Sequence, residues 1–403
     1  MGRVKAQMME DSWRGWAALD THVCACCVDD GYLKSLISDN CTEHTCDYCG
    51  RHTDELSAAP TSIIQEAIGR TVYYYFNDPT AAGVPWESGE SVIEPTDTLD
   101  VLLSIGLECQ DELFEDISSA FIDTVWVQAS GGHWSASHPH EMLLDSWSRF
   151  CYSVKHEVRY FFSNLEADVP WEYSPLELLT RIGKLVDERS LISQLPRDML
   201  LYRVRERGLD EDWKIDGSSM GAPPLERARA GRMNPAGISY LYFAQEIETA
   251  IAEVLGTPPC AAAYGEFSVK RELNVIDLCQ ISLPSIFDES LRDVREDLLF
   301  IADFVDSISS PAKKDGREHI DYVPSQVVSE FFAKAFRRAS GDAIHGMAYP
   351  SAVKPGGRNV VLFPQLDVQS GFNSLVEFRS AGEVSFSTWD DLTTAIYNGL
   401  VEL

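Results

Sequence analysis

Gly231-Arg232-Met233-Asn234-Pro235-Ala236-Gly237-Ile238-Ser239-Tyr240-Leu241-Tyr242-Phe243-Ala244, followed at helical distance by Thr249-Ala250-Ile251-Ala252-Glu253, runs from turn to strand to helix within twenty-three residues. Gly, Asn and Pro mark a turn, Ile238–Phe243 is a short run of apolar and aromatic residues suited to a strand, and Gln245–Leu255 is helical in spacing. The same alternation continues outward. Strand-like runs occur at Met199–Arg203, Tyr264–Val269, Asn274–Leu278 and Asn359–Phe363, and helical segments near Ser290–Val305 and Ser325–Phe336. The sequence therefore predicts a mixed α+β domain over residues 196–403.

Upstream the texture is different. In residues 59–195 the apolar positions recur at helical spacing, as in Ile64, Ala67, Ile68, Val72, Tyr73 and Phe76 after a Ser62/Gln65 pair that resembles a capping box. Further helices are expected near Thr98–Leu107, Asp111–Val125 and His140–Phe162, and Ser174-Pro175-Leu176-Glu177 reads as a helix start with Pro at its first position. This block is predicted to be an α-helical bundle. The loop histidines His133, His138 and His140 read as an ordinary polar connection.

Ahead of it, residues 15–58 hold six of the ten cysteines. Cys24/Cys27 and Cys46/Cys49 form two CxxC pairs, in which a tight turn aims both thiolates of a pair at one ion. Together they suit a tetrahedral zinc site with bonds of about 2.3 Å. Cys26, Cys41, His44 and His52 are near enough in sequence to substitute as ligands. Four cysteines would leave no open coordination position, so the expected zinc is structural.

Composition limits the function. Acidic residues outnumber basic ones 63 to 33, for a net charge of −30, which argues against extensive DNA binding through phosphate contacts. A cluster of bases from Arg197 to Arg232 could hold an anion locally, although neighbouring acids offset much of its charge. No apolar run is long enough to span a bilayer, and the first residues lack the apolar core of a secretory signal, so a cytoplasmic, soluble protein without membrane partners is expected.

Three motifs in the last domain carry a family resemblance: Leu201-Tyr202-Arg203-Val204-Arg205, the Gly231–Glu253 stretch, and Tyr349-Pro350-Ser351-Ala352 leading to Asn359-Val360-Val361-Leu362-Phe363. In order and spacing they resemble the RES domain, named for its Arg, Glu and Ser. The upstream block is similar to the HEPN/RES N-terminal region, through its cysteine pairs and the aromatic helix containing Trp147, Phe150 and His156. The resemblance implies a multidomain chain: a four-cysteine zinc-binding segment, a HEPN-like helical domain and an ADP-ribosyltransferase-like RES domain.

It also implies a substrate, NAD, and cleavage of its nicotinamide–ribose bond, as by an NAD glycohydrolase or phosphorylase acting as a toxin or defence effector, with ADP-ribosyl transfer to protein as the alternative. By this resemblance Glu253 is the catalytic carboxylate and Arg203 and Arg232 clamp the pyrophosphate. Tyr242 stacks on nicotinamide or lines the ribose pocket, and Ser351 hydrogen-bonds near the reacting centre. Ser325, in Pro324-Ser325, competes with Ser351 for that place. The expected partners are a cognate antitoxin or regulatory protein and a second copy of the chain. Two rival readings remain. Arg149 and His156 fit the R-x4–6-H pattern of HEPN ribonucleases, and the cysteine segment with the acidic surface fits a zinc-dependent interaction protein.

Overall fold

In a computed structural model the structure describes residues 9–87, 90–167, 169, 171–208, 214–310, 316–364 and 371–398. The chain divides into two compact units, residues 1–141 with 283–299, and residues 142–282 with 300–403.

The first unit is built on α2 (Ser62–Tyr75), whose Ile64, Ile68 and Val72 are four residues apart and fully buried. Gln65 is not the partner of a capping box. It is buried, accepts from Leu19 N and donates to the Ala17 carbonyl, tying the incoming chain to the helix. Around α2 lie α1 (Gly31–Asp39), capped by Asp30, α3 (Thr98–Ser104) and α4 (Asp111–Ala120). Strand β1 (His22–Cys24) pairs with β2 (Ala58–Pro60), and β3 (Phe76–Asn77), β4 (Thr96–Asp97) and β5 (Val125–Gln128) form a small sheet with β5 in the middle. A third small sheet pairs residues 86–87 with 90–91, so the unit is helical with small sheets and not a pure bundle. Nor is the cysteine segment a domain of its own. Cys24, Cys27 and Cys46 belong to the same core as Leu33, Ile37, Ile64, Ile68 and Trp126, because so short a segment buries its apolar side chains only by borrowing the surface of α2 and its neighbours.

The second unit contains α5 (Pro139–Tyr152) from Met142 on, α6 (Pro175–Glu188) and an eight-stranded sheet. α6 starts at Pro175, as the sequence predicts, and there the Ser174 N–H donates to Glu177 Oε2. The strands in chain order are β6 (Ile192–Leu195), β7 (Leu200–Arg207), β8 (Leu241–Ala244), β9 (Cys260–Val269), β10 (Leu273–Asp277), β11 (Gly346–Pro350), β12 (Arg358–Leu362) and β13 (Val376–Phe386). They lie in the order β13-β9-β7-β8-β12-β11-β10-β6, all neighbours antiparallel except β10 and β11. The expected boundary at 195/196 moves, since β6 belongs to this sheet. Residues 399–403 of the expected last domain lie outside the described residues.

Alternation along the strands sends Leu201, Phe243, Ala263 and Val360 into one apolar cluster. Val204, Ala244 and Ala262 enter another, with Ala250 and Ile251 of α7 (Ile247–Val254) and Leu392 of α10 (Trp389–Asn398). Between α7 and α10 in the chain, α8 spans Arg292–Ser309 and α9 spans Val323–Glu330. Among the described residues no helix is long and apolar enough to cross a membrane.

Candidate active site

Strand β7 pairs along most of its length with β9, but it meets β8 at a single position, Ala244 opposite Tyr202. The two strands then part. A cavity of about 260 Å³ opens at this split, lined by Tyr202, Arg203, Tyr242, Glu253, Tyr349 and Asn359 among others. In an intact sheet Tyr202 and Arg203 would face opposite sides, and the split lets both reach one space.

Helix α7 carries Glu253 one turn beyond Ala250, and both line the cavity. Two donors converge on the same carboxylate oxygen: Ser351 Oγ lies 2.7 Å and Asn359 Nδ2 2.6 Å from Glu253 Oε1. Each is itself held. Asn359 is buried in β12 opposite Ala244 and Tyr349, while Ser351 N donates to the Gly357 carbonyl and Ser351 Oγ accepts from Lys354 N. Gly357 permits this turn to press on α7, since a Cβ there would come within 2.7 Å of Thr249 Oγ1.

Arg203 is the cavity's cation. Burial, reinforced by the like charge of Arg205, pulls its pKa down to about 9, which still leaves it charged at neutral pH. Its Nη1 is buried and has no hydrogen-bond partner among the described residues. A buried guanidinium nitrogen left unpaired is costly, so the site suits an anionic group of a ligand.

Tyr242 lines the cavity with its ring, but its hydroxyl serves the loop before β8. It donates to Asn234 Oδ1 at 2.7 Å and accepts from Met233 N at 3.0 Å, and Asn234 Nδ2 in turn donates to the carbonyls of Arg229, Pro235 and Ile238. Burial raises the Tyr242 phenol well above its ordinary pKa, so it stays protonated. A Cβ on Gly231 would come within 2.9 Å of that hydroxyl, which explains the glycine.

The expected second clamp is engaged elsewhere. Arg232 does not line the cavity; its Nη1 donates to the carbonyls of Ile308, Ser309 and Ser310, where α8 ends with unpaired acceptors and a partial negative charge. Ser325 donates to the Arg232 carbonyl at 2.6 Å, so the structure brings Ser351 and not Ser325 to Glu253. Arg149 pairs with Glu157 at 3.0 Å and lies over Tyr152, whose ring is 5.2 Å from that of His156. Two lining residues given no role by the sequence reading, Tyr349 and Asn359, sit side by side across β11 and β12. Asn359 stood in the quoted motif, but only strand pairing shows what it touches.

In the first unit the sulfurs of Cys24, Cys27, Cys46 and Cys49 come together, with Cys24 3.7 Å from Cys27 and 3.5 Å from Cys49, and Cys27 3.6 Å from Cys46. Four thiolates around one tetrahedral ion with bonds of about 2.3 Å would be about 3.8 Å apart, so the cluster can hold a metal. Burial pushes the Cys24 thiol up to about 11 and Cys27 higher still, a cost that a bound cation would offset. Of the alternatives open in the sequence, Cys26 is exposed and takes a hydrogen bond from Arg51, while His44 and His52 contact Thr53 and Thr45.

Residues 39–168 match the family model of HEPN/RES N-terminal domain 1, and residues 200–374 match that of the RES domain. The chain carries a HEPN/RES N-terminal domain followed by a RES domain. The RES match implies NAD-related enzyme chemistry at a coarse level, and all the lining residues of the split-sheet cavity fall within the matched range. The folded units run past both matches. Cys24 and Cys27 precede the first, and β6 and β13 flank the second. No curated protein matches the chain.

Proposed function

We propose that the RES domain cleaves the nicotinamide–ribose bond of NAD with water or phosphate as acceptor. The observation that carries this reading is the convergence of Ser351 and Asn359 on one oxygen of Glu253, in a cavity whose cation, Arg203, has an unpaired buried nitrogen. The cavity is smaller than the roughly 300–1,000 Å³ of whole small-molecule sites, which suits one end of a long ligand with the remainder outside.

In this reading the C1′–N bond of the nicotinamide riboside breaks, and its electron pair leaves with the pyridinium, which departs neutral and needs no acid. Positive charge builds on the ribose, and the Glu253 carboxylate stabilises it through Oε2 while Oε1 stays anchored. Arg203 takes a pyrophosphate oxygen. An acceptor oxygen then bonds to C1′. If the acceptor is water, its proton passes to solvent; a protein side chain in that position would make the reaction ADP-ribosyl transfer. The four-cysteine cluster, in the same proposal, holds a structural zinc.

The test is to incubate the full chain with NAD, with and without phosphate, and to follow nicotinamide and the ribosyl product. Release should fall at least ~100-fold in Glu253→Gln, the scale of losing a transition-state charge partner. Release that is equal in the variant, or absent from folded wild type, would overturn the reading.

A further inference from the structure

The first unit contains a second cavity, also about 260 Å³, that the NAD reading does not use. Its floor is an aromatic and ionic cluster. The His138 ring lies 5.3 Å from Tyr74, 4.9 Å from Tyr75 and 6.1 Å from the nearly parallel ring of His140. His140 Nδ1 contacts Glu296 Oε2 at 2.6 Å, and the Tyr75 hydroxyl donates to Glu296 Oε1 at 3.0 Å. Burial alone would raise the Glu296 pKa, but these bonds outweigh it and hold the group below the usual range, so it is a carboxylate. The rest of the lining mixes apolar Phe76, Ile105, Ile286 and Leu299 with polar Ser104, Gln128, Glu141 and Arg295.

Two polar atoms on this wall lack partners. His138 is 7% exposed and its Nδ1 makes no hydrogen bond among the described residues, and Arg295 donates through Nη1 to the Pro284 carbonyl while its Nε finds no partner among them. Desolvation lowers the His138 pKa and keeps the ring neutral, and a neutral imidazole can present an unpaired Nδ1 as an acceptor. The wall therefore offers one acceptor and one donor. His χ2 is a soft torsion, so a small turn of the ring brings Nδ1 to a ligand.

Charge and geometry narrow the class. The lining holds one acid, Glu141, and one arginine, Arg295, with the Glu296 carboxylate against His140, which leaves no positive excess for a phosphate. Among the described residues these side chains do not converge as metal ligands; only the four cysteines do. We propose that this cavity binds a flat, uncharged heterocycle bearing a hydrogen-bond donor beside an acceptor, the chemistry shared by nicotinamide and a free nucleobase. The site does not rest on the NAD reading.

The test is calorimetric titration of nicotinamide and, separately, adenine into the full chain, with His138→Phe, Ile105→Trp and Glu253→Gln alongside. At least one probe should bind wild type and Glu253→Gln equally, at roughly 0.1–1 mM. Loss of one buried hydrogen bond should weaken it about tenfold in His138→Phe, and Ile105→Trp should do the same by filling the space. Melting curves identify a variant that misfolds, and the other then decides. No binding of either probe to wild type, or binding lost in Glu253→Gln and retained in both first-unit variants, would overturn the proposal. NAD turnover is read separately, so either reading can fail alone.

Discussion

At the scale of single residues, the candidate site depends on who else uses each side chain. Arg232 and Tyr242 both stand in the Gly231–Ala244 motif, yet one guanidinium is spent on the end of α8 and one hydroxyl on Asn234. Glu253, by contrast, is oriented by two donors brought from β12 and the turn before it. Asn359 is thus a positioning residue, and its substitution separates that role from bulk. Asn359→Ala should lower kcat about 10- to 100-fold with little change in KM, because a loosened carboxylate still admits substrate but is misplaced in the transition state. Asn359→Asp should act differently. A second carboxylate against Glu253 favours the protonated form, so the acid limb of the kcat profile should move to higher pH by about one unit or more. A profile that keeps its position would count against this contact. Glu253, Arg203 and Ser351 were legible as candidates from residue type and order; the partner that orients the glutamate was not, since hydrogen-bond geometry across strands leaves no mark in composition.

At the scale of elements, the five strands expected in the last domain all form, with ends displaced by a few residues, while β6, β11 and β13 were not anticipated. β6 hides behind a helix-rich stretch, and β13 mixes Arg, Glu, Gly and Ser so that no apolar alternation is visible, although it pairs with β9 for ten residues. The long helix expected over His140–Phe162 stops at Tyr152 and passes into a wider turn over Ser153–Glu157. In the first unit, β1 and the cysteine turns are held against α2 by shared core residues. Removal of metal should therefore loosen more than the local turns. Cys46→Ser, or treatment with a strong chelator, should abolish binding of about one zinc per chain and lower the melting temperature of the first unit by several degrees or more. Metal analysis beside calorimetry checks this, and an unchanged melting curve in zinc-depleted protein would rule out a structural ion.

At the scale of the whole molecule, acid sensitivity follows from two buried histidines, one in each unit. Desolvation lowers the pKa of His138, and desolvation with the neighbouring Arg271 lowers that of His345. A depressed folded pKa means the unfolded chain binds the proton more readily, so this stability is complete above the unfolded value of about 6.5 and is lost as pH falls through the folded values. Melting temperature should drop between pH ~7.5 and ~5.5, and His345→Gln should flatten part of that slope; a profile level across this window would contradict the shifts. The sequence alone determined what periodicity and residue chemistry can carry: a helical first part, a mixed second part, a four-cysteine cluster, and an Arg, Glu and Ser in family order. Only the tertiary structure decided that the cysteines share a core with the helices, that β7 and β8 part to open a cavity, and that Arg232 serves a helix end. The reason is physical, because patterns along a chain record burial and local propensity, whereas pairing between distant strands and the partner of a given polar atom depend on which surfaces meet in the folded chain.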